Sequence, residues 1–306
     1  MKTRILEKLN SRDCILSGET ISNQLGVSRV SVWKHIKGLQ KMGYPIVSTS
    51  KGYRLEGDAD TLLPWDFPGR EKTIHFFPEL SSTMDKAMEM AGKQCPDFTV
   101  IVAERQKNGR GRLRRTWLSS EGGLYFTVVT RPRIPAVLSA KVNFSAAVEL
   151  ATVLRDLFDI DAMVKWPNDV LVNGAKISGI LSQMEAETDQ VNFINIGVGI
   201  NINNDPANIE PKAVSVRKLL ERPIPRKIVL SAFLDAFEEK MAILEDLDVI
   251  DQWKRINTTI GRRVKISTHK EQFEGVAKDV DDNGALVLEL ADGTKRTVVY
   301  GDCFLI

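Results

Sequence analysis

The chain has little cysteine. Cys14, Cys95 and Cys303 are the only three among 306 residues, and they lie too far apart for a zinc cluster. Their odd number predicts no disulfide framework; the expectation is structural thiols in a reducing, cytoplasmic compartment. Long apolar runs are missing as well. No uninterrupted apolar stretch of ~18 residues occurs, and the start, Met1-Lys2-Thr3-Arg4-Ile5-Leu6, has no apolar signal core. No membrane span is therefore expected. Internal repeats and low-complexity tracts are absent, which excludes solenoids and compositional tails. There is no Walker A sequence, and Gly197-Val198-Gly199 lacks the further glycine of a dinucleotide-binding turn. Any nucleotide is held another way.

What is present is an ordinary globular balance, with 43% hydrophobic and 27% charged residues, enough to bury a core. The length predicts two or three domains. The net charge of +2 is unevenly spread. Residues 1–60 hold ten Lys or Arg against six Asp or Glu, so this segment is basic and the rest slightly acidic. A basic N-terminal segment suits a polyanion partner.

Within it, Ile5, Leu6 and Leu9 fit a first helix and Thr20–Leu25 a second. Gly26-Val27 makes a short turn. Ser28 is a good N-cap for a third helix, in which Val32, Ile36 and Leu39 form one apolar stripe. Gly43 ends it. A helix, a glycine turn and a helix opening on Ser-Arg is the pattern of a recognition helix, whose first turn meets phosphates and base edges. Tyr44 to Leu55 reads as a two-stranded wing with Lys51 and Gly52 near its tip. The candidate DNA-contacting residues are Ser28, Arg29, Val30, Ser31, Lys34, Lys37, Lys51 and Arg54. A helical interaction module with solvated lysines is the alternative. A linker is expected from Gly57-Asp58-Ala59-Asp60.

Chemistry concentrates further along. Gln106-Lys107-Asn108-Gly109-Arg110-Gly111-Arg112-Leu113-Arg114-Arg115-Thr116-Trp117 places four arginines within six residues, among glycines that allow close backbone approach. Arg offers planar, bidentate bonding to carboxylate and phosphate. A nucleic-acid tail would share this composition. However, β-like runs at Thr99–Glu104 and Gly123–Thr130 flank the segment, and that context favours a small-anion site in a loop that orders around its ligand.

A second cluster is Lys165-Trp166-Pro167-Asn168-Asp169. After it, Asn173-Gly174 predicts a two-residue hairpin that pairs Val172 with Ala175 and Leu171 with Lys176. Side chains alternate along a strand, so Asp169 and Lys176 fall on one sheet face as diagonal neighbours. They form either a site or a surface salt bridge. A third element, Asn195-Ile196-Gly197-Val198-Gly199-Ile200-Asn201, puts glycines in a strand, a mark of close ligand or backbone approach.

In this order and combination, these motifs resemble those of biotin protein ligases. With the N-terminal helix-turn-helix, the whole chain is similar to the bifunctional biotin ligase and biotin operon repressor family. The resemblance implies an α+β multidomain fold: a winged helix-turn-helix over 1–60, a mixed α/β biotin/lipoate ligase-like domain over 66–257 and an SH3-like β-barrel over 258–306. Strand-like runs near 263–266, 274–277, 285–290 and 296–299 agree with the last of these, and helices are expected over 231–244 and around Trp253.

It also implies roles residue by residue. Ser82, Thr83, Met84, Gln106, Arg110, Gly111, Arg112, Lys176, Gly197 and Gly199 match biotin-binding positions. Arg112, Arg115, Trp117, Asn168, Lys176 and Asn201 match nucleotide-binding positions. Arg112, Lys176 and Asp169 match the catalytic ones. Met84 departs from the family's Asn, and Ala213 stands where some members place an aromatic against adenine. ATP and biotin are the implied ligands, with Mg²⁺ travelling on the nucleotide and no metal site in the protein. The implied partners are a biotin carboxyl carrier protein, operator DNA and, in the ligand-bound state, a second copy. A lipoate ligase, a sensor with a decayed ligase site and a ligase that does not bind DNA are the competing readings.

Overall fold

The computed structural model describes residues 1–10, 15–57, 59–208, 210–244, 248–268 and 271–306. Cys14 and Asp58, named above as a thiol and a linker residue, lie outside them. The chain divides into two compact units, Met1–His75 with Pro225–Ile228, and Phe76–Ile224 with Val229–Ile306.

The first unit contains α1 (Lys2–Asn10), α2 (Gly18–Leu25), α3 (Arg29–Lys41), β1 (Ile46–Thr49) and β2 (Gly52–Leu55). Ser17 caps α2 through Thr20 N–H, an N-cap that the sequence reading had not placed. Gly26 closes α2 with φ 66°, a left-handed conformation that costs glycine no Cβ clash. Ser28 then caps α3, accepting from Ser31 N–H at 3.2 Å. Val32, Ile36 and Leu39 are buried in the core of this unit with Ile5, Leu6, Leu9, Ile21 and Leu25. Strands β1 and β2 pair antiparallel from Ile46↔Leu55 to Thr49↔Gly52, which puts Lys51 at the wing tip.

In the second unit the elements are β3 (Ile74–Leu80, entered from the first unit), α4 (Thr83–Gly92), β4 (Thr99–Gln106), β5 (Leu124–Thr130), α5 (Ser139–Phe158), β6 (Ala162–Lys165), β7 (Asp169–Val172), β8 (Ala175–Glu187), β9 (Gln190–Ile200), α6 (Val216–Leu220), α7 (Arg226–Ala242) and α8 (Val249–Arg255). A seven-stranded sheet runs β3-β4-β5-β9-β8-β7-β6. Every residue of β5 is buried, as befits a central strand covered on both faces. Helix α4 lies on β4, β5 and β9, and α5 lies on β6 to β9. Residues 136–158 are long and apolar enough to cross a membrane by length and composition, but 61% of that window is buried against the protein, so α5 is a core helix.

The last stretch forms β10 (Arg263–Ser267), β11 (Gln272–Val280), β12 (Leu286–Glu289), β13 (Lys295–Val298) and β14 (Asp302–Leu305). They make an antiparallel sheet in the order β13-β12-β11-β10-β14. The fifth strand, β14, was not anticipated. Two bonds from Trp166 tie this sheet to the larger one. Its backbone N–H donates to Thr259 Oγ1 at 2.9 Å, and its indole N–H donates to the Gly284 carbonyl at 3.0 Å.

Candidate active site

A cavity of about 250 Å³ opens on the large sheet. It gathers every sequence-predicted ligand and catalytic residue of the central segment, from Ser82 on α4 to Asn201 after β9. Its lining comes from seven stretches of chain, within residues 82–84, 106–120, 165–169, 176–181, 197–206, 210–213 and 302–304.

One end is a hydroxyl and amide relay. Ser82 caps α4 through Met84 N–H at 3.2 Å. Gln106 Oε1 accepts from Thr83 N–H at 2.7 Å and from Thr83 Oγ1 at 3.1 Å, while its Nε2 donates to Ser119 Oγ at 2.8 Å. Thr127 Oγ1 bonds Thr83 Oγ1 at 2.9 Å. Ser119 and Thr127 were not foreseen, because nothing near them in sequence marks them.

The floor explains the strand glycines. A Cβ at Gly197 would stand 2.6 Å from Met84 Sδ, and one at Gly199 would stand 2.5 Å from the indole of Trp117. Gly199 pairs in register with Gly179, whose own Cβ would meet Trp117 at 3.0 Å. The indole therefore lies against a two-strand patch that carries no side chains. Its N–H is buried without a hydrogen-bond partner among the described residues, and Lys176 Nζ sits 5.4 Å from the ring centroid. Gly179 escaped the sequence reading, although the same signal, a glycine inside a strand, was available there.

The catalytic candidates meet on the adjoining strands. The hairpin register is the expected one, Val172↔Ala175 and Leu171↔Lys176, followed by a bulge that sets Asp169 opposite Gly179. Asn173 and Gly174 take φ 51° and 77°, as the turn requires. Lys176 Nζ lies 2.6 Å from Asp169 Oδ1, and Lys165 Nζ lies 3.9 Å from Asp169 Oδ2. All three are inside the cavity, so the pair is not a plain surface bridge. Backbone bonds hold Ala213 beside Lys176, which makes a small residue part of the wall. Asn201 is buried and accepts from Asn204 Nδ2 at 2.9 Å.

The arginine loop folds back on itself. Trp117 N–H donates to the Gly109 carbonyl and Gly111 N–H to that of Arg115, at 2.9 and 2.8 Å. Three of its four arginines, Arg110, Arg112 and Arg115, line the cavity, and they differ in their partners. Arg110 pairs with Asp85 at 2.8 Å, and Arg115 pairs with Asp302 of β14. Arg112 makes no ion pair among the described residues; it donates to Asn168 Oδ1 at 3.3 Å. Burial pulls its pKa below the usual arginine value, opposed by Asp302 and Asp169. It stays charged at neutral pH and is therefore the loop cation poised for an anionic ligand. Burial also raises the neighbouring Cys303 thiol to about 11, so it remains protonated.

On the first unit, Arg29, Val30, Lys34, Lys37 and Lys51 are exposed, whereas Ser31 is half-buried in the cap of α3. Arg54 is exposed but paired with Glu56, which reduces its availability to phosphate. Trp33, passed over in the sequence, is half exposed on the same helix.

Comparison with known proteins agrees with this architecture. A model described as the biotin/lipoate A/B protein ligase family matches residues 76–201. An HTH domain model matches 2–54, and a biotin protein ligase C-terminal domain model matches 259–306. The chain is 35% identical over 298 residues to the bifunctional ligase/repressor BirA of Bacillus subtilis, covering 92% of this chain and 91% of that protein. It is 27% identical over 304 residues to BirA of Escherichia coli, covering 94% and 92%. The solved structure of the biotin protein ligase from Aquifex aeolicus in complex with biotin and ATP aligns with a TM-score of 0.64 at 25% identity, over 77% of this chain and 99% of that one. The chain belongs to the biotin/lipoate protein ligase family.

Proposed function

We propose that this protein is an ATP-dependent biotin protein ligase that also represses transcription in response to biotin. The observation that carries the ligase half is the single cavity that unites Arg112, Lys176 and Asp169 with a side-chain-free floor. In this reading residues 1–60 bind operator DNA, 66–257 carry the reaction and 258–306 help to hold the acceptor.

Biotin occupies the end formed by Ser82, Thr83, Met84 and Gln106, against Gly197 and Gly199, with Arg110, Gly111 and Arg112 over it. The nucleotide lies along Trp117, Asn168, Asn201 and Arg115. In the first step the biotin carboxylate attacks the α-phosphate of ATP and pyrophosphate leaves. Arg112 and Lys176 stabilise the charge that develops on the phosphate and carboxylate oxygens. In the second step a lysine of a biotin carboxyl carrier protein attacks the resulting acyl-adenylate and AMP leaves. Asp169, already bonded to Lys176, keeps that ammonium in place and orients the incoming amine.

No group of three His, Cys, Asp or Glu among the described residues could hold a metal ion. Asp169 and Asp302 are engaged by Lys176 and Arg115. In this reading Mg²⁺ travels on the nucleotide phosphates, where it would neutralise charge. The acyl-adenylate also promotes a homodimer that sets two α3 helices on the half-sites of a palindrome. The protein acts in the cytoplasm, where its substrates are.

Mass spectrometry of a carrier domain incubated with the protein, ATP and either biotin or lipoate tests the ligase reading. A biotinyl adduct on one lysine is expected. A lipoyl adduct, or none, overturns it. Sedimentation with and without biotin and ATP, paired with a gel shift on the protein's own biotin-gene promoter, tests the repressor reading. A ligand-saturated monomer that ignores that DNA removes it.

A further inference from the structure

Helix α3 carries an apolar surface that its cations do not explain. Trp33 is 51% exposed and Val30 62%, whereas Trp166 and Trp253 are 1% and 0% exposed. Neither Trp33 nor Val30 belongs to the hydrophobic core of its unit. Burial of Val32, Ile36 and Leu39 fixes which side of the helix faces inward. With 3.6 residues per turn, Arg29, Trp33, Lys37, Val30 and Lys34 follow one another around roughly 140° of the remaining surface. The indole thus sits between Arg29 and Lys37, about 40° in from the Arg29 edge of the face a recognition helix presents.

Two occupants could cover such a face, a second copy of the chain or a nucleic-acid duplex. A two-fold contact between copies would bring the same patch together. Helix α3 has no Asp or Glu and carries Arg29, Lys34, Lys37 and Lys41, so like charges would meet. A duplex supplies the opposite charge along its phosphates. It also supplies one apolar feature on its major-groove edge, the C5-methyl of thymine.

We propose that Trp33, with Val30 beside it, reads thymine methyl groups in the major groove, so that the half-sites this protein prefers carry thymine where the indole lies. This rests on the DNA-binding reading above. Arg29 and Lys37 flank the indole, Lys34 lies further round beyond Val30, and the three take the phosphates or purine edges there. The apolar pair selects sequence, and the cations supply most of the salt-dependent affinity.

The test uses the full chain saturated with biotin and ATP. Duplexes are selected from a randomised library by the wild type, then each thymine of the enriched site is replaced in turn by deoxyuridine, which lacks only the methyl. At least one replacement is expected to weaken wild-type binding about fourfold, the worth of one buried methyl. Trp33→Ala binds the enriched site about tenfold more weakly, the cost of a mismatched base pair, and is indifferent to that replacement. Its salt dependence keeps the wild-type slope, while Lys37→Ala lowers the slope by about one. Trp33→Phe, which keeps an apolar ring, retains the methyl dependence, and an unchanged unfolding midpoint for Trp33→Ala separates lost reading from lost fold. Wild-type binding that is equal with uracil at every position overturns the proposal while leaving DNA binding standing. A wild type that enriches no duplex removes both readings. If Trp33→Ala instead loses self-association and keeps its base preference, the face serves a second copy and the proposal falls.

Discussion

The protein carries two basic surfaces built in opposite ways. On α3 the cations are exposed, with no acidic residue on the helix and no ion pair to Arg29, Lys34, Lys37 or Lys41 among the described residues. In the arginine loop three arginines line the cavity: Arg110 and Arg115 are tied to Asp85 and Asp302, and the half-buried Arg112 donates to Asn168. Exposed cations are screened by salt and exchange counterions with any polyanion. A buried guanidinium has already lost much of its water and holds one geometry, so it discriminates a small anion by shape. Similar residue types therefore give an exposed cationic face in one place and a half-buried cation beside a cavity in the other.

The sharpest way to break this contrast is Lys176→Ala. If the cavity cations stabilise the reacting oxygens, adenylate formation falls by about 100-fold or more, the usual loss for one such donor. Rapid-quench measurement of the first half-reaction decides it, and a loss below about fivefold would reduce the Lys176–Asp169 pair to an ordinary salt bridge of ~1 kcal/mol. Next is Arg112→Gly. Removal of this cavity-lining cation should let activated biotin escape to bulk lysines, read as labelling of a bystander protein. Labelling confined to the carrier would show that retention of the intermediate does not depend on Arg112.

Gly199→Ala sharpens the picture of the floor. The new methyl would stand 2.5 Å from the Trp117 indole, so the ring must move. Base–aromatic stacking is worth about 1–3 kcal/mol, and KM for ATP should rise roughly tenfold with a change in tryptophan fluorescence. An unchanged KM would remove Trp117 from the nucleotide site. Salt separates the two surfaces directly. Between 50 and 200 mM salt, DNA affinity should fall by orders of magnitude, while KM for biotin changes by less than about threefold. Parallel falls in both would mean that the loop arginines are as solvated as those of α3.

The smallest effect is expected at a partly exposed pair, Lys254 and Asp279, 2.8 Å apart. The hydrogen bond from Lys254 holds the Asp279 pKa below the usual carboxylate value and raises that of Lys254. A lowered carboxylate pKa adds stability that is present above the unfolded value and is lost as pH falls through the folded one. Asp279→Asn should therefore cost less than about 1 kcal/mol at pH 7, and its difference from wild type should shrink below about pH 4. Urea unfolding at the two pH values measures it; a constant difference would assign the effect to packing.

Much of this was legible in the sequence because the signals were local. Ser28, Gly26 and the Val32–Ile36–Leu39 stripe specify α3 by capping, turn and period alone. Asn173-Gly174 set the hairpin register, and strand alternation then put Asp169 and Lys176 on one face. The bulge that follows is a property of the sheet and had no local mark. Ser119 and Asp302 were likewise silent: each is an ordinary polar residue whose role comes from a partner 13 residues away in the case of Gln106, or in a loop far back in the chain in the case of Arg115.

By itself the sequence determined which elements form and which residues could carry chemistry, since capping, turn geometry and hydrophobic period act over a few residues. Tertiary structure decided which of the cavity-lining arginines is ion-paired, because pairing of Arg110 with Asp85 or of Arg115 with Asp302 depends on chain segments far away. It also decided why Gly179, Gly197 and Gly199 are glycine. The reason is the space taken by Met84 and Trp117, two side chains that no local pattern places there.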